Sequence, residues 1–184
     1  KYTGTGRNPC ERNPYEVFQW AKTNLSDRVV LCTWNFGFHA CRGIVASGDS
    51  ALHGCVAVSM AYNFWISYKI AGYAEIAETQ KQEIEHCVYD MKCKQLFVVG
   101  NKDFAMTPLG HLKRCIKLRN DEGLGATVHQ IDQKQETRSN DDYFNMVGHE
   151  DEVAQICASW IKGLSDEVRK DPSWPQEEPG YVGA

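Results

Sequence analysis

No run of apolar residues in this chain approaches the roughly 20 that a helix needs to cross a bilayer, and no signal-peptide pattern stands at its start. The expectation is a soluble protein. Charge of a single sign is also scarce: 20 Lys and Arg stand against 24 Asp and Glu, a formal net charge of -4, and the basic residues are scattered rather than striped. That argues against a nucleic-acid surface as the main role. The phosphate-cradling pattern Gly-x-x-x-x-Gly-Lys-Ser/Thr is absent, and Asn101-Lys102-Asp103 lacks the residue that a guanine-reading motif places between Lys and Asp. Gly4-x-Gly6 lacks the third glycine and the helix of a dinucleotide site. No cofactor is expected.

Cysteine is plentiful, but the spacings that would give it chemistry are missing. There are eight, none in a Cys-x-x-Cys pair, and the nearest neighbours, Cys87 and Cys93, share no zinc-type spacing with a histidine. No structural metal is expected. Cys32, Cys41, Cys55, Cys115 and Cys157 fall in apolar runs that should be core, where a thiol behaves as a small hydrophobe. This suits reducing, intracellular surroundings, cytoplasmic or organellar. The sequon Asn24-Leu25-Ser26 is read as a chance match at a helix end.

With 42% hydrophobic and 24% charged residues, a chain of 184 can form one domain with a substantial core. Residues 14–24 predict a helix with Tyr15, Val17, Phe18, Trp20 and Ala21 as its apolar set. Residues 29–33 are β-branched and apolar enough for a strand buried on both faces, followed by a helix from Gly37. Short apolar runs at 54–60, 95–99 and 126–131 predict three more strands, the last alternating as a strand near an edge should. Residues 73–91 form a polar helix with a sparse stripe of Ile76, Ile84, Cys87 and Val88. Residues 150–164 form a helix with Val153, Ile156, Cys157, Trp160, Ile161 and Leu164 on one face and three acids in its first turn. Strands alternating with helices predict parallel pairing with crossovers, an α/β three-layer sandwich with a mostly parallel sheet. From Asp171 the chain holds three prolines with Trp174 and Tyr181, so it cannot be helix or central strand.

The turn after the first strand carries the functional argument. Asn35 stands at its apex, with Thr33 and Gly37 two positions away on either side, where small residues let strand and helix backbones approach. The third strand ends in Gly100-Asn101-Lys102-Asp103 with Pro108 beyond. Asp142-Tyr143-Phe144 precedes Gly148-His149-Glu150-Asp151-Glu152-Val153, and Tyr2-Thr3-Gly4-Thr5-Gly6-Arg7-Asn8 forms an early loop. In these residues the chain resembles the α/β-hydrolase superfamily, from about Tyr2 to Leu164. The resemblance implies a nucleophile, normally Ser, at the position of Asn35, an acidic triad member at Asp103 and a His base at the position of Tyr143. It further implies an oxyanion-hole donor at the Phe36 N–H, and early strands of the fold lying before Lys1.

An amide has no ionisable nucleophile, and a phenol with a pKa near about 10 is a poor proton acceptor at neutral pH. Only Asp103 would remain of the triad. His39 and His149 are candidates for a rescued base but read better as caps or packed side chains, and Ser59, at a strand end, is a weak candidate for a displaced nucleophile. The sequence therefore reads as a degenerate, non-catalytic hydrolase-like domain over residues 1–165 with an extended tail over 166–184. Its expected role is that of a scaffold or accessory subunit, contacting other protein subunits through the aromatic segment 62–73 and the tail. The alternatives are a serine-type esterase or thioesterase with a displaced site, and a small-ligand receptor using the old cleft.

Overall fold

The computed structural model describes residues 9–63, 65–102, 109–121, 123, 125–133 and 146–169. Four strands, β1 (Val29–Trp34), β2 (Leu52–Val58), β3 (Lys94–Gly100) and β4 (Ala126–Ile131), form one sheet in the order β1-β2-β3-β4. Every pair is parallel, with Thr33 opposite Ala57, Ala57 opposite Phe97, and Phe97 opposite Val128. Parallel neighbours need crossovers, and helices supply them: α2 (Gly37–Val45) joins β1 to β2, α3 (Trp65–Ile70) and α4 (Ala74–Asp90) join β2 to β3, and α5 (Leu109–Asp121) joins β3 to β4. Helix α1 (Pro9–Asn24) packs on α2, while α6 (Glu150–Arg169) lies against β2 and β3.

Two apolar clusters separate the layers. Phe38, Ile44, Cys55, Ala57, Phe97, Val99, Ile84, Val88 and Leu112 fill the space between the sheet and the crossover helices. Val56, Val58, Leu96, Val98, Ile131, Met146 and Val153 fill the other face, with Trp160 and Ile161 of α6 against them. The alternation within β2 and β3 sends successive residues to opposite clusters, so residues 55–58 and 96–99 are apolar on both faces. The sandwich is three layers of helix, sheet and helix, as expected.

Glycine serves two close approaches. A side chain on Gly54 would meet Leu164 Cδ1 at 2.7 Å and the Trp160 ring at 3.0 Å, so its lack of one lets α6 lie directly on β2. A Cβ on Gly100 would fall 2.1 Å from Gln133 Oε1. Gln133 is buried, its Oε1 accepts the Lys102 N–H at 3.2 Å, and its amide nitrogen lies 3.5 Å from Met146 Sδ.

Several expectations change. Strand β1 is not buried on both faces: among the described residues it pairs only with β2, and Cys32 and Trp34 are exposed. Helix α6 packs mainly on β2 and β3 and covers the Cys32 and Trp34 face of β1 incompletely, so Cys32 is exposed and Cys157 is only half-buried. Helix α1 begins five residues before Pro14 and carries that proline internally. Ile76 is 47% exposed; among the α4 side chains described, Ala77, Ile84 and Val88 are buried, and the Cys87 side chain lies outside them. Helix α6 runs through residues 165–169 as well, because no breaker occurs before Pro172 and Ser165 Oγ bonds back to Ile161 O at 3.2 Å. The first four positions assigned to the tail are therefore helical. The loop 2–8 and the rest of the tail, 170–184, lie outside the described residues.

Candidate functional site

The carboxyl ends of the strands carry the site because each parallel strand there must turn into a crossover. Val58 accepts the Asn35 N–H at 2.9 Å, Val98 accepts the Ser59 N–H at 2.8 Å, and Ile131 accepts the Asn101 N–H at 2.9 Å. The first residue beyond each of β1, β2 and β3 is thus pinned to the end of the next strand. At this rim Asn35 and Ser59 both adopt left-handed backbone, with φ of +49° and +45°. Non-glycine residues rarely do so, and asparagine is among those that tolerate it best.

Asn35 stands at the apex of a two-residue turn between β1 and α2. Phe36 follows as the N-cap of α2 with φ of -70°, and its carbonyl accepts the His39 N–H at 3.0 Å. Thr33 is buried, and its hydroxyl donates to Val56 O at 3.1 Å, fastening the incoming strand. A Cβ on Gly37 would lie 3.7 Å from Thr33 Cβ, so strand and helix do converge across the apex, with room for one methyl. The local geometry is the sharp strand-to-helix turn that Thr33, Asn35 and Gly37 predicted.

The two histidines are held by structural bonds. His39 Nε2 lies 2.9 Å from Ala61 O, and a carbonyl only accepts, so Nε2 carries the proton and ties α2 to the segment after β2. Burial lowers the pKa of His39, the Ala61 bond opposes this, and the neighbouring Arg42 lowers it further. His149 precedes α6, with its Nδ1 3.1 Å from Glu152 Oε2 and its carbonyl accepting the Val153 N–H at 2.9 Å. Both fit the capping and packing readings. Ser59 has the backbone of a sharp turn, which its sequence did not reveal, but it is completely buried, as are Met60 and Ala61 after it.

Asp103 and Tyr143, the other two positions of the inferred triad, lie outside the described residues. What surrounds the third strand end is visible, and sequence reasoning missed it. Asn101 Oδ1 accepts the Gln133 N–H at 2.9 Å, and its amide donates to the Asp132 carboxylate, locking the ends of β3 and β4 together. Gln133 then fills the space that Gly100 leaves. A glycine at a strand end was legible, whereas a glutamine 33 residues later as its occupant gave no local signal. Among the described residues no three His, Cys, Asp or Glu side chains converge as metal ligands.

The aromatic segment 62–73 divides. Tyr62 is 3% exposed and belongs to the core, where burial and the nearby Cys115 raise its pKa, so it is not a surface for partners. Tyr73 is 58% exposed. Ile70 in the same segment is 83% exposed, and other large apolar groups at the surface include Val17 and Trp20 on α1, Leu25 just after it, and Trp34 and Phe36 at the apex. No described helix is long and apolar enough to cross a membrane.

No protein-family model matches the sequence, and no curated protein matches it. Among solved structures, an esterase from Pyrococcus furiosus superposes with a TM-score of 0.52 at 13% identity, over 88% of this chain and 65% of that one. The enol-lactonase from Burkholderia xenovorans gives 0.53 at 12% identity, over 84% of this chain and 74% of that one. A hyperthermophilic esterase from the archaeon Pyrobaculum calidifontis gives 0.54 at 13% identity, over 83% of this chain and 60% of that one. This chain thus spans less than two thirds of the length of the first of these. The likeness establishes an α/β-hydrolase-like fold, and at these identities it carries the fold alone.

Proposed function

We propose that this chain is a non-catalytic α/β-hydrolase-like protein serving as a scaffold or accessory subunit of a larger protein assembly. One observation carries the reading: a left-handed apex between strand and helix, where the resemblance places a nucleophile, is occupied by Asn35. The carboxamide can accept and donate hydrogen bonds but cannot attack a carbonyl carbon. In this reading Tyr143 takes the place of the base and leaves Asp103 without a proton relay. Ser59 is completely buried, which speaks against it as a replacement nucleophile.

The surface supports the second half of the proposal. Val17, Trp20 and Leu25 are 65%, 57% and 70% exposed, large apolar groups of the kind that dominate binding energy when a partner covers them. Partner contacts are assigned to this region of α1 and to an extended tail after α6, with the folded unit reaching to the end of α6 at Arg169. The test is twofold. A fluorophosphonate probe and a panel of short acyl esters are expected to give no labelling and no turnover above buffer. The native protein is expected to migrate in a large particle. Labelling of a serine, lost when that serine is mutated, would favour a displaced esterase site and end the proposal. Migration of the native protein as a free single chain would remove the scaffold role.

A further inference from the structure

At the opposite end of the sheet from Asn35, where the strands begin, a pocket of about 400 Å³ opens between the starts of β1, β2 and β3. It is about 20 Å from the apex, the length of a six-residue strand. Its lining is cationic: Arg28 precedes β1, His53 lies in β2, Lys92 stands in the link to β3, and Lys94 begins β3. Two acids also face it, and each has a lysine partner. Asp49 Oδ2 lies 2.8 Å from Lys22 Nζ, and Glu167 pairs with Lys94. Lys92 makes no ion pair or side-chain hydrogen bond among the described residues. The wall beside it is Gly48, where a Cβ would come within 3.9 Å of Lys92 Cγ, and Leu52 and Cys93 supply an apolar floor.

Basic residues at this end of an α/β sheet often serve the negative ends of the crossover helices. Here other groups already do that. The buried Arg119 guanidinium donates to the carbonyls of Val88 at 3.1 Å, Tyr89 at 2.8 Å and Cys93 at 3.1 Å, closing the end of α4. The end of α2 is closed by the Ala46 N–H on Arg42 O at 2.8 Å and by the Ser47 hydroxyl on Ile44 O at 2.6 Å. Arg28, His53 and Lys92 line the pocket, and the carbonyls at these two helix ends are already taken by other groups. The lining acts on His53: burial first, then the charges of Arg28 and Lys94, hold its pKa below the ordinary imidazole value, while Glu167 opposes them. Clefts that gather like charge in this way attract the opposite charge.

We propose that this basal pocket binds a phosphate monoester, with Arg28, His53 and Lys92 on the phosphate and the organic group against Leu52 and Cys93. A guanidinium fork and an ammonium match a compact dianion better than a single carboxylate. Calorimetric titration of the whole chain with phenyl phosphate and with inorganic phosphate tests it. Phenyl phosphate is expected to bind saturably and at least as tightly as inorganic phosphate. Lys92→Ala is expected to weaken it about tenfold, and Lys162→Ala, exposed on α6 and outside the pocket, to leave it unchanged. In the same samples the His53 ring protons should report a pKa raised by about half a unit or more on binding. No saturable binding up to about 10 mM, an affinity in Lys92→Ala within about twofold of the parent, or an unmoved His53 would overturn the assignment. Tighter binding of inorganic phosphate than of the ester would overturn the monoester.

Discussion

A single backbone angle separates the tolerable residues from the costly ones at the apex. Asn35 at φ +49° is expected to be replaceable by Gly with little change, whereas Asn35→Ala should lose roughly 1 kcal/mol in urea denaturation, the strain of a Cβ in left-handed backbone. Equal stabilities for the two variants would show that the apex relaxes. Gly100 is stricter, because the Gln133 amide that fills its space is buried and fixed at both ends. Gly100→Ala is expected to cost about 1–3 kcal/mol, and most of that loss should disappear in Gly100→Ala/Gln133→Ala. His39 adds a pH dependence of defined sign. Its folded pKa is depressed mainly by burial, so as pH falls the unfolded chain takes up the proton first. The stability it contributes is complete above the unfolded pKa of about 6.5 and is lost as pH falls through the folded value. Denaturation midpoints of His39→Gln, which keeps a donor for Ala61 O, should fall less steeply than the parent's below that pH.

Among the elements, the contact of α6 with β2 is the most sensitive to volume. Gly54→Ala must displace Leu164 and the Trp160 ring, and a loss of about 1–3 kcal/mol is expected, with quenched or shifted tryptophan fluorescence as a second readout. Elements with strong periodicity were legible in the sequence: the strands begin and end within two residues of their predicted bounds, and α6 shows its apolar face at three- and four-residue spacing. The apex was legible because Thr33, Asn35 and Gly37 are an unusual choice for a strand followed at once by a helix. What escaped depends on partners remote in the chain. Whether β1 is central or peripheral is set by which strand lies beside it, and no property of Val-Val-Leu-Cys-Thr-Trp encodes that. Arg119 carries no local signal for burial, yet it is 1% exposed and fastens three carbonyls 26 to 31 residues earlier. Ser59 and Gln133 likewise acquired their surroundings only when β2, β3 and β4 aligned.

For the molecule as a whole, each strand pairs with its successor in sequence, and three crossovers cover one face of the sheet. The other face, with Val56, Val58, Leu96 and Val98, waits for α6, more than fifty residues after Val98. During synthesis at about 5–20 residues per second, that hydrophobic surface stays bare for several seconds after β3 has left the ribosome. A nascent chain halted once Ile131 has cleared the exit tunnel should therefore bind a hydrophobicity-reporting dye strongly, and one halted once Arg169 has cleared it should not. Cells depleted of ribosome-associated chaperones would then lose this protein to aggregation before α6 is made.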